Sequence, residues 1–289
     1  MSIQGPLIDS FGRVHTDLRL SVTDRCNIRC FYCMPAEHIK FLPRAEILTF
    51  EEYARFVGVA AQLGVRSVRL TGGEPLLRQE LPQLIGMLTA IQGIDEVSLT
   101  TNATLLAEQA DALKAAGLRR VNISLDAIDE ETFEQITRRR SLQRVLEGID
   151  AALRVGFSPV RLNAVSIRGV TEREAVRLAR YSREKQLELR FIEFMPLDAD
   201  GNWNGGQVLS GDELRGILAT EIAPLEPIAG MDPSQPARDY RYTDGIGRVG
   251  FIDSVTKPFC QSCDRLRITA EGKIRNCLFS TEEWDARRI

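Results

Sequence analysis

The chain has 289 residues, 44% of them hydrophobic and 27% charged, with a formal net charge of −3. That balance suits one large globular domain, or one with an appendage, and excludes a disordered or fibrous chain. It also excludes a global basic field that would draw the chain to nucleic acid or to an anionic membrane.

The first 20 residues contain no long apolar run, so neither a signal peptide nor a transmembrane span is predicted, and the cytoplasm is the expected compartment. In a reducing compartment the six cysteines call for metal binding or catalysis before disulfides.

Short β-type runs alternate with longer helical patterns. Strands are predicted at 18–22, 65–70, 96–101, 119–126, 159–167 and 187–195. Helices are predicted at 50–64, near 80–91, at about 104–116, in segments up to 155, and near 171–185, with glycine closing the first and third. Parallel βαβ units follow, in an incomplete six-unit barrel or an open α/β sheet. Beyond Met195 the composition shifts to Pro, Gly, Asp and Asn. A short helix fits 211–219, a Pro-rich loop 223–236 and a hairpin 238–252. A soft boundary falls near residue 220, between a barrel at 1–220 and a C-terminal region at 221–289.

Cys26, Cys30 and Cys33 have the spacing C-x3-C-x2-C and follow the first strand directly. Ligands in α/β folds gather at the carboxyl ends of strands. Three thiolates can hold three irons of a 4Fe–4S cube and leave the fourth open to a ligand, whereas an electron carrier usually supplies four cysteines. A structural zinc needs four ligands, and the two histidines, His15 and His38, complete no familiar zinc pattern. Cys260, Cys263 and Cys277 form a second triplet, C-x2-C-x13-C, again without a nearby histidine. Zinc there would need an outside ligand such as Asp264 or Glu271; a second cube with an open iron needs none.

Other residues cluster at the same strand ends. Gly-Gly-Glu-Pro (72–75) follows the second strand, where paired glycines let backbone approach a ligand. Thr100, Thr101 and Asn102 end the third strand, Ser124 and Asp126 the fourth, and Met195 the sixth, as a ring around one pocket would require. Asn163 lies inside the fifth strand and needs a partner if it faces inward. Arg265 and Arg267 alternate beside the second triplet and face one side, a pattern suited to phosphate or carboxylate.

CNIRCFYC with TGGEP resembles the signature of the radical S-adenosylmethionine (SAM) superfamily. The C-terminal VGFIDSVTKPFCQSCDRLRITAEGKIRNCLF narrows the resemblance to the GTP 3′,8-cyclase family of molybdenum cofactor biosynthesis. LRLSVTDRCNIRCFYCMP, SLTTNATLL, VNISLDA, RLNAVSIRGV and RFIEFMP extend the match from about residue 10 to the end. The resemblance implies a TIM-like (βα)6 partial barrel with a C-terminal cluster-binding extension. It implies two 4Fe–4S clusters, held by Cys26, Cys30 and Cys33 and by Cys260, Cys263 and Cys277, with SAM as cofactor. Tyr32, Gly73, Ser124 and Met195 would contact SAM. Arg19, Arg69, Thr100, Arg161, Arg265, Leu266 and Arg267 would contact GTP, with Arg265 and Arg267 as the candidate catalytic residues. No G-x4-G-K-[ST] loop occurs, so an arginine-lined interior would have to hold the nucleotide.

The implied reaction runs from SAM cleavage to hydrogen removal at C3′ of GTP and attack of that carbon on C8 of guanine. Implied partners are GTP, a low-potential electron donor and a downstream cyclic pyranopterin monophosphate synthase. No nucleic acid and no membrane are expected, and a homodimer is left open. Family members continue for some tens of residues and finish in Gly-Gly; this sequence ends at Ile289, so turnover is expected to feel the difference more than cluster or SAM binding. Two rivals remain: a peptide-modifying radical SAM enzyme with an auxiliary cluster, and a non-catalytic iron–sulfur nucleotide sensor.

Overall fold

The computed structural model describes residues 5–197, 200, 201, 203–230, 232 and 234–288, with the backbone alone at 288. In chain order the first half runs β1 (Asp17–Ser21), α1 (Phe50–Gln62), β2 (Ser67–Thr71), α2 (Leu81–Thr89), β3 (Glu96–Thr101), α3 (Leu106–Ala115) and β4 (Arg120–Ser124). Two helices follow, α4 (Glu130–Thr137) and α5 (Leu142–Arg154), then β5 (Val160–Ser166), α6 (Thr171–Glu184), β6 (Glu188–Glu193) and α7 (Gly211–Glu221). The last part is built of strands: β7 (Leu225–Pro227), β8 (Arg238–Tyr242), β9 (Arg248–Ile252), β10 (Arg265–Ile268), β11 (Lys273–Arg275) and β12 (Trp284–Asp285).

Local chemistry sets these boundaries. The Thr49 hydroxyl accepts from the Glu52 N–H at 3.2 Å while the Glu52 carboxylate accepts from the Thr49 N–H at 2.7 Å, a reciprocal cap that starts α1. Gly117, at φ 99°, turns the chain after α3 in a conformation that favours glycine.

All strands join one sheet in the order β12-β11-β10-β1-β2-β3-β4-β5-β6-β9-β8-β7. The six predicted strands lie side by side and parallel. The C-terminal region then adds a parallel strand at each edge: β9 beside β6, and β10 beside β1. The parallel layer therefore has eight strands rather than the six expected. The hairpin at 238–252 is present as β8 and β9, but one arm also extends the main sheet. The Pro-rich stretch 223–236 is not all loop, because β7 pairs with β8 within it.

β9 and β10 are the two ends of the parallel layer and are not neighbours in the sheet. Both run in the same direction, so segment 253–264 returns from the carboxyl end of β9 to the amino end of β10. The barrel stays open, with that segment spanning its gap.

Alternation along the strands divides the residues between two faces. Leu18, Leu20, Val68, Leu70, Val97, Leu99, Val121, Ile123 and Leu162 are buried in the hydrophobic core with the helices. The residues between them face the barrel interior, and many are charged. No helix among the described residues is long and apolar enough to cross a membrane.

Candidate functional site: two thiol triplets at opposite ends of an arginine-lined barrel

The loop after β1 carries Cys26, Cys30 and Cys33, all free. It is pinned from two sides. The Arg29 and Phe31 N–H groups donate to the Thr137 and Ile136 carbonyls at 2.9 and 3.1 Å, using the open carbonyls at the end of α4. The Gly73 and Glu74 N–H groups donate to the Thr23 and Arg25 carbonyls at 2.8 and 2.7 Å. A Cβ on Gly73 would collide with the Arg25 carbonyl, so this contact requires glycine. Within the loop the Cys33 and Met34 N–H groups donate to the Cys30 carbonyl, which curls the three thiols together. Burial pushes all three thiols above the ordinary range, Cys30 furthest, and a neighbouring thiolate adds to the effect at Cys30 and Cys33. A bound metal, which withdraws the proton outright, reverses that cost.

Tyr32 is half-buried against Phe31 and Phe194, with ring centroids 5.8 and 6.5 Å away. Its hydroxyl donates to Asp126 Oδ2 at 2.7 Å, and Asp126 Oδ1 accepts from the Val165 N–H at 2.7 Å. Ser124 ends β4 opposite Asn163, and Met195 follows β6. Tyr32, Gly73, Ser124 and Met195 therefore all lie at the carboxyl end of the barrel.

The second triplet lies at the other end. Cys260 and Cys263 precede β10, whose first residue Arg265 pairs with Asp17 at the start of β1. Cys277 follows β11, which runs antiparallel to β10 and returns to the same end. Arg13 reaches this corner: its Nη1 donates to the Cys260 carbonyl at 3.1 Å, and its guanidinium is held by Asp9. Thiolates at Cys263 and Cys277 act on both Arg13 and Arg267, so all three cysteines share one neighbourhood. β1 has five residues, so this strand alone sets its two ends about 13 Å apart at ~3.3 Å per residue.

Among the described residues no three His, Cys, Asp or Glu side chains converge tightly enough for a single metal ion. A cube does not require this, because it attaches each thiolate to a different iron. In both places the donor set, three free thiols on curled loops, fits that group. Asp264, the outside ligand that zinc would need, has its Oδ2 engaged by the Thr16 hydroxyl at 2.7 Å.

Between the triplets the interior is lined by guanidiniums. Register sets Arg19 beside Arg69 and beside Arg267. A cavity of about 240 Å³ is bounded by Arg19, Arg69, Arg120, Arg190 and Arg265, with Asn122 and Asn163. Four of these interior cations are matched by acids: Arg19 by Asp17 (3.2 Å), Arg120 by Glu96 (2.6 Å), Arg161 by Glu188 (2.7 Å) and Arg190 by Asp239 (3.4 Å). Arg69, Arg265 and Arg267 make no ion pair among the described residues. Arg69 donates to the Ser98 hydroxyl at 3.3 Å, and Arg265 stacks on Phe259 at 4.8 Å. Arg265 Nε and Nη2 and Arg267 Nη1 are buried donors with no acceptor among the described residues. Burial, then mutual repulsion, lowers the pKa of Arg19, Arg69 and Arg267, and lowers Arg190 to about 10. Arg190, at about 10, stays charged at neutral pH. Acids line the same space, but Asp17 and Glu96 pair with Arg19 and Arg120; a polyanion would satisfy the donors of Arg265 and Arg267 that these acids leave open.

The sequence-predicted set is thus mostly gathered. Arg19, Arg69 and Arg265 line the cavity. Thr100, Arg161 and Arg267 lie outside its lining: Thr100 accepts from Asn122 at 3.5 Å, and Arg161 is engaged by Glu188. Leu266 pairs with Leu18 and its side chain joins the hydrophobic core, so it does not face the barrel interior. Arg120, Arg190 and Asn122 were not singled out from sequence. Their signal is a polar residue at every second position of a strand otherwise filled with buried apolar ones.

Comparison with known proteins agrees with this architecture. The Radical SAM superfamily model matches residues 20–181, and the Molybdenum Cofactor Synthesis C model matches residues 187–289. A GTP 3′,8-cyclase of Rhodopirellula baltica is 51% identical over 280 residues, covering 96% of this chain and 78% of the relative. Another, from Paenarthrobacter nicotinovorans, is 46% identical over 291 residues, covering 96% and 82%. Among solved structures, Streptococcus suis SuiB bound to S-adenosylmethionine superposes with a TM-score of 0.68 at 16% identity, covering 95% of this chain and 64% of SuiB. The chain therefore spans just under two thirds of SuiB, and the likeness is one of fold. An anSMEcpe structure with bound AdoMet gives 0.64 at 16% identity, covering 94% and 75%. By sequence identity across nearly its whole length, the chain belongs to the GTP 3′,8-cyclase family of the radical SAM superfamily.

Proposed function

We propose that this chain converts GTP to (8S)-3′,8-cyclo-7,8-dihydroguanosine 5′-triphosphate, an early step of molybdenum cofactor biosynthesis. The observation that carries the reading is the set of carboxylate-free guanidiniums, Arg69, Arg265 and Arg267, between two thiol triplets at opposite ends of one barrel. When bound, the two 4Fe–4S clusters and SAM supply one-electron cleavage of the sulfonium and a 5′-deoxyadenosyl radical.

The residues of the chain do the rest. Cys26, Cys30 and Cys33 would hold one cluster, and Cys260, Cys263 and Cys277 the other. Tyr32, Gly73, Ser124 and Met195 would seat SAM at the carboxyl end. Arg19, Arg69, Thr100, Arg161, Arg265, the Leu266 backbone and Arg267 would bind the nucleotide, with Arg265 and Arg267 nearest the second triplet. Arg190 and Arg120, which border the same cavity, are natural additions. Holding a nucleotide at both ends fixes the ribose toward the SAM side, and most of the catalytic gain a protein can supply here is such positioning. The walls of the cavity also limit the water and solutes that would quench a radical.

The reading divides the chain near residue 220 into a radical-generating part and a cluster-bearing part. It also includes the cytoplasm, in keeping with six free cysteines, a low-potential electron donor, a downstream enzyme that takes up the cyclic product, and a homodimer as the assembly to look for. The test is anaerobic incubation with SAM, a strong reductant and GTP, followed by mass spectrometry of the nucleotides. The cyclised triphosphate is expected together with 5′-deoxyadenosine. 5′-Deoxyadenosine without a cyclised nucleotide would point to another substrate, and neither product would leave a binding protein.

A further inference from the structure

A closed hydrogen-bonded group stands behind the first thiol loop, and none of the roles above uses it. Glu74 is 1% exposed. Its Oε1 accepts from the Thr101 hydroxyl at 2.7 Å and the Leu76 N–H at 3.0 Å, and its Oε2 accepts from the Asn102 N–H at 2.7 Å. The backbone at the end of β3 is thereby fixed to the Gly-Gly-Glu-Pro turn.

The Asn102 side chain is then held at both ends. Oδ1 accepts from the Thr104 N–H at 3.0 Å and the Thr104 hydroxyl at 2.7 Å. Nδ2 donates to Asn27 Oδ1 at 2.8 Å, and Asn27 Nδ2 donates to the Thr104 hydroxyl oxygen at 2.8 Å. A backbone N–H can only donate, so the Asn102 oxygen must face Thr104, and the orientation of the amide is settled by its partners. Its second N–H is left for sulfur: Asn102 Nδ2 lies 3.9 Å from Cys26 Sγ. Cys30 instead has the Tyr32 phenol beside it, and no such donor stands at Cys33 among the described residues.

A donor on a cluster thiolate draws charge from the sulfur. It therefore favours the reduced, more negative cluster and raises its reduction potential. We propose that Asn102 is a positioning residue that sets the potential of the first cluster through its N–H on Cys26, with Glu74 and Thr104 holding the amide in place. The proposal rests on the reading of Cys26, Cys30 and Cys33 as cluster ligands.

The test is an anaerobic redox titration of the reconstituted full chain followed by EPR. The signal of the first cluster is identified by its change when SAM is added. Asn102→Ala removes the donor without adding charge. The variant should keep its clusters, while the ratio of reduced to oxidised first cluster at a fixed potential falls about tenfold, a shift of about 59 mV for one electron. The second cluster should not shift. Thr104→Val leaves the amide in place but removes one of its holds, and should move the same midpoint in the same direction by less. An unchanged first midpoint in Asn102→Ala with the cluster present overturns the proposal. So does loss of the cluster from Asn102→Ala combined with an unchanged midpoint in Thr104→Val, because the amide would then only brace the loop. Iron near four rather than about eight per wild-type chain, or no SAM-responsive signal, overturns the cluster reading instead.

Discussion

Cys26, Cys30 and Cys33 have neutral groups, acids and a cation about them: the Asn102 amide, the Tyr32 phenol, Asp126, Glu74, and Arg29, whose guanidinium donates to the Cys26 carbonyl. Cys260, Cys263 and Cys277 instead face guanidiniums, with Arg13 on one side and Arg267 on the other. The first loop is also tied to α4 and to the Gly73 turn by backbone bonds on both flanks, while each triplet has one exposed cysteine, Cys33 and Cys260. One site thus holds its thiols in a frame of mixed charge that is braced on both flanks. The other is built in a cationic corner, beside donors that lack acceptors. The contrast teaches that equal cysteine counts need not mean equal tasks, since the surroundings set what an open iron will meet.

Cys30→Ala makes the largest break in that contrast. It should reduce 5′-deoxyadenosine formation to background, because two thiolates cannot hold the first cluster for SAM. Cys277→Ala should leave a measurable part of SAM cleavage while the cyclised nucleotide disappears; unchanged cyclic product would show that the second triplet has no part in handling substrate. Arg267→Ala sharpens the comparison at the cationic corner. Loss of a charged donor costs about 1.5–3 kcal/mol, roughly tenfold to hundredfold in affinity. Calorimetry should find that loss for GTP and little change for SAM, and equal losses would contradict the assignment.

The smallest effect concerns the frame of the first triplet. Burial raises the Asp126 carboxyl from 3.8 to about 6. Above pH 6 the folded chain carries a buried carboxylate at a cost. That cost is relieved as pH falls toward about 4, because the folded state takes up a proton before the unfolded one does. The slope is at most about 1.4 kcal/mol per pH unit. Asp126→Asn keeps an oxygen for the Val165 N–H and should remove this slope, seen as a wild-type minus variant stability that changes between pH 6 and pH 4 in urea titrations. A difference constant with pH would contradict the raised value.

Much of this was legible in the sequence, for reasons that differ by element. β3 was predicted at its observed bounds, and α1 and α6 to within two residues, because capping, glycine and alternation are local signals. The two thiol triplets were legible because their spacing is local too. The parallel pairing of β10 with β1 and of β9 with β6 was not, since strand partnership across distant sequence leaves no mark in either strand alone. Arg190 and Arg120 stayed hidden for a related reason. A cation in a strand reads as a solvated face until the sheet curls and turns that face inward. The opposite placement of the triplets followed only from β10 running parallel to β1.

That last pairing also orders events in time. Thr16 and Asp264, bonded at 2.7 Å, are separated by 248 positions in the chain. During synthesis the six βα units can associate as they emerge, whereas the outer edge of β1 must wait for nearly the whole polypeptide. Contacts so distant in sequence are slow to close. The thiol loop beyond β1 therefore has its frame early, and the cationic corner is completed at the end of folding. A chain stalled before β10 would carry the first thiol loop with no second triplet at the opposite end of the sheet.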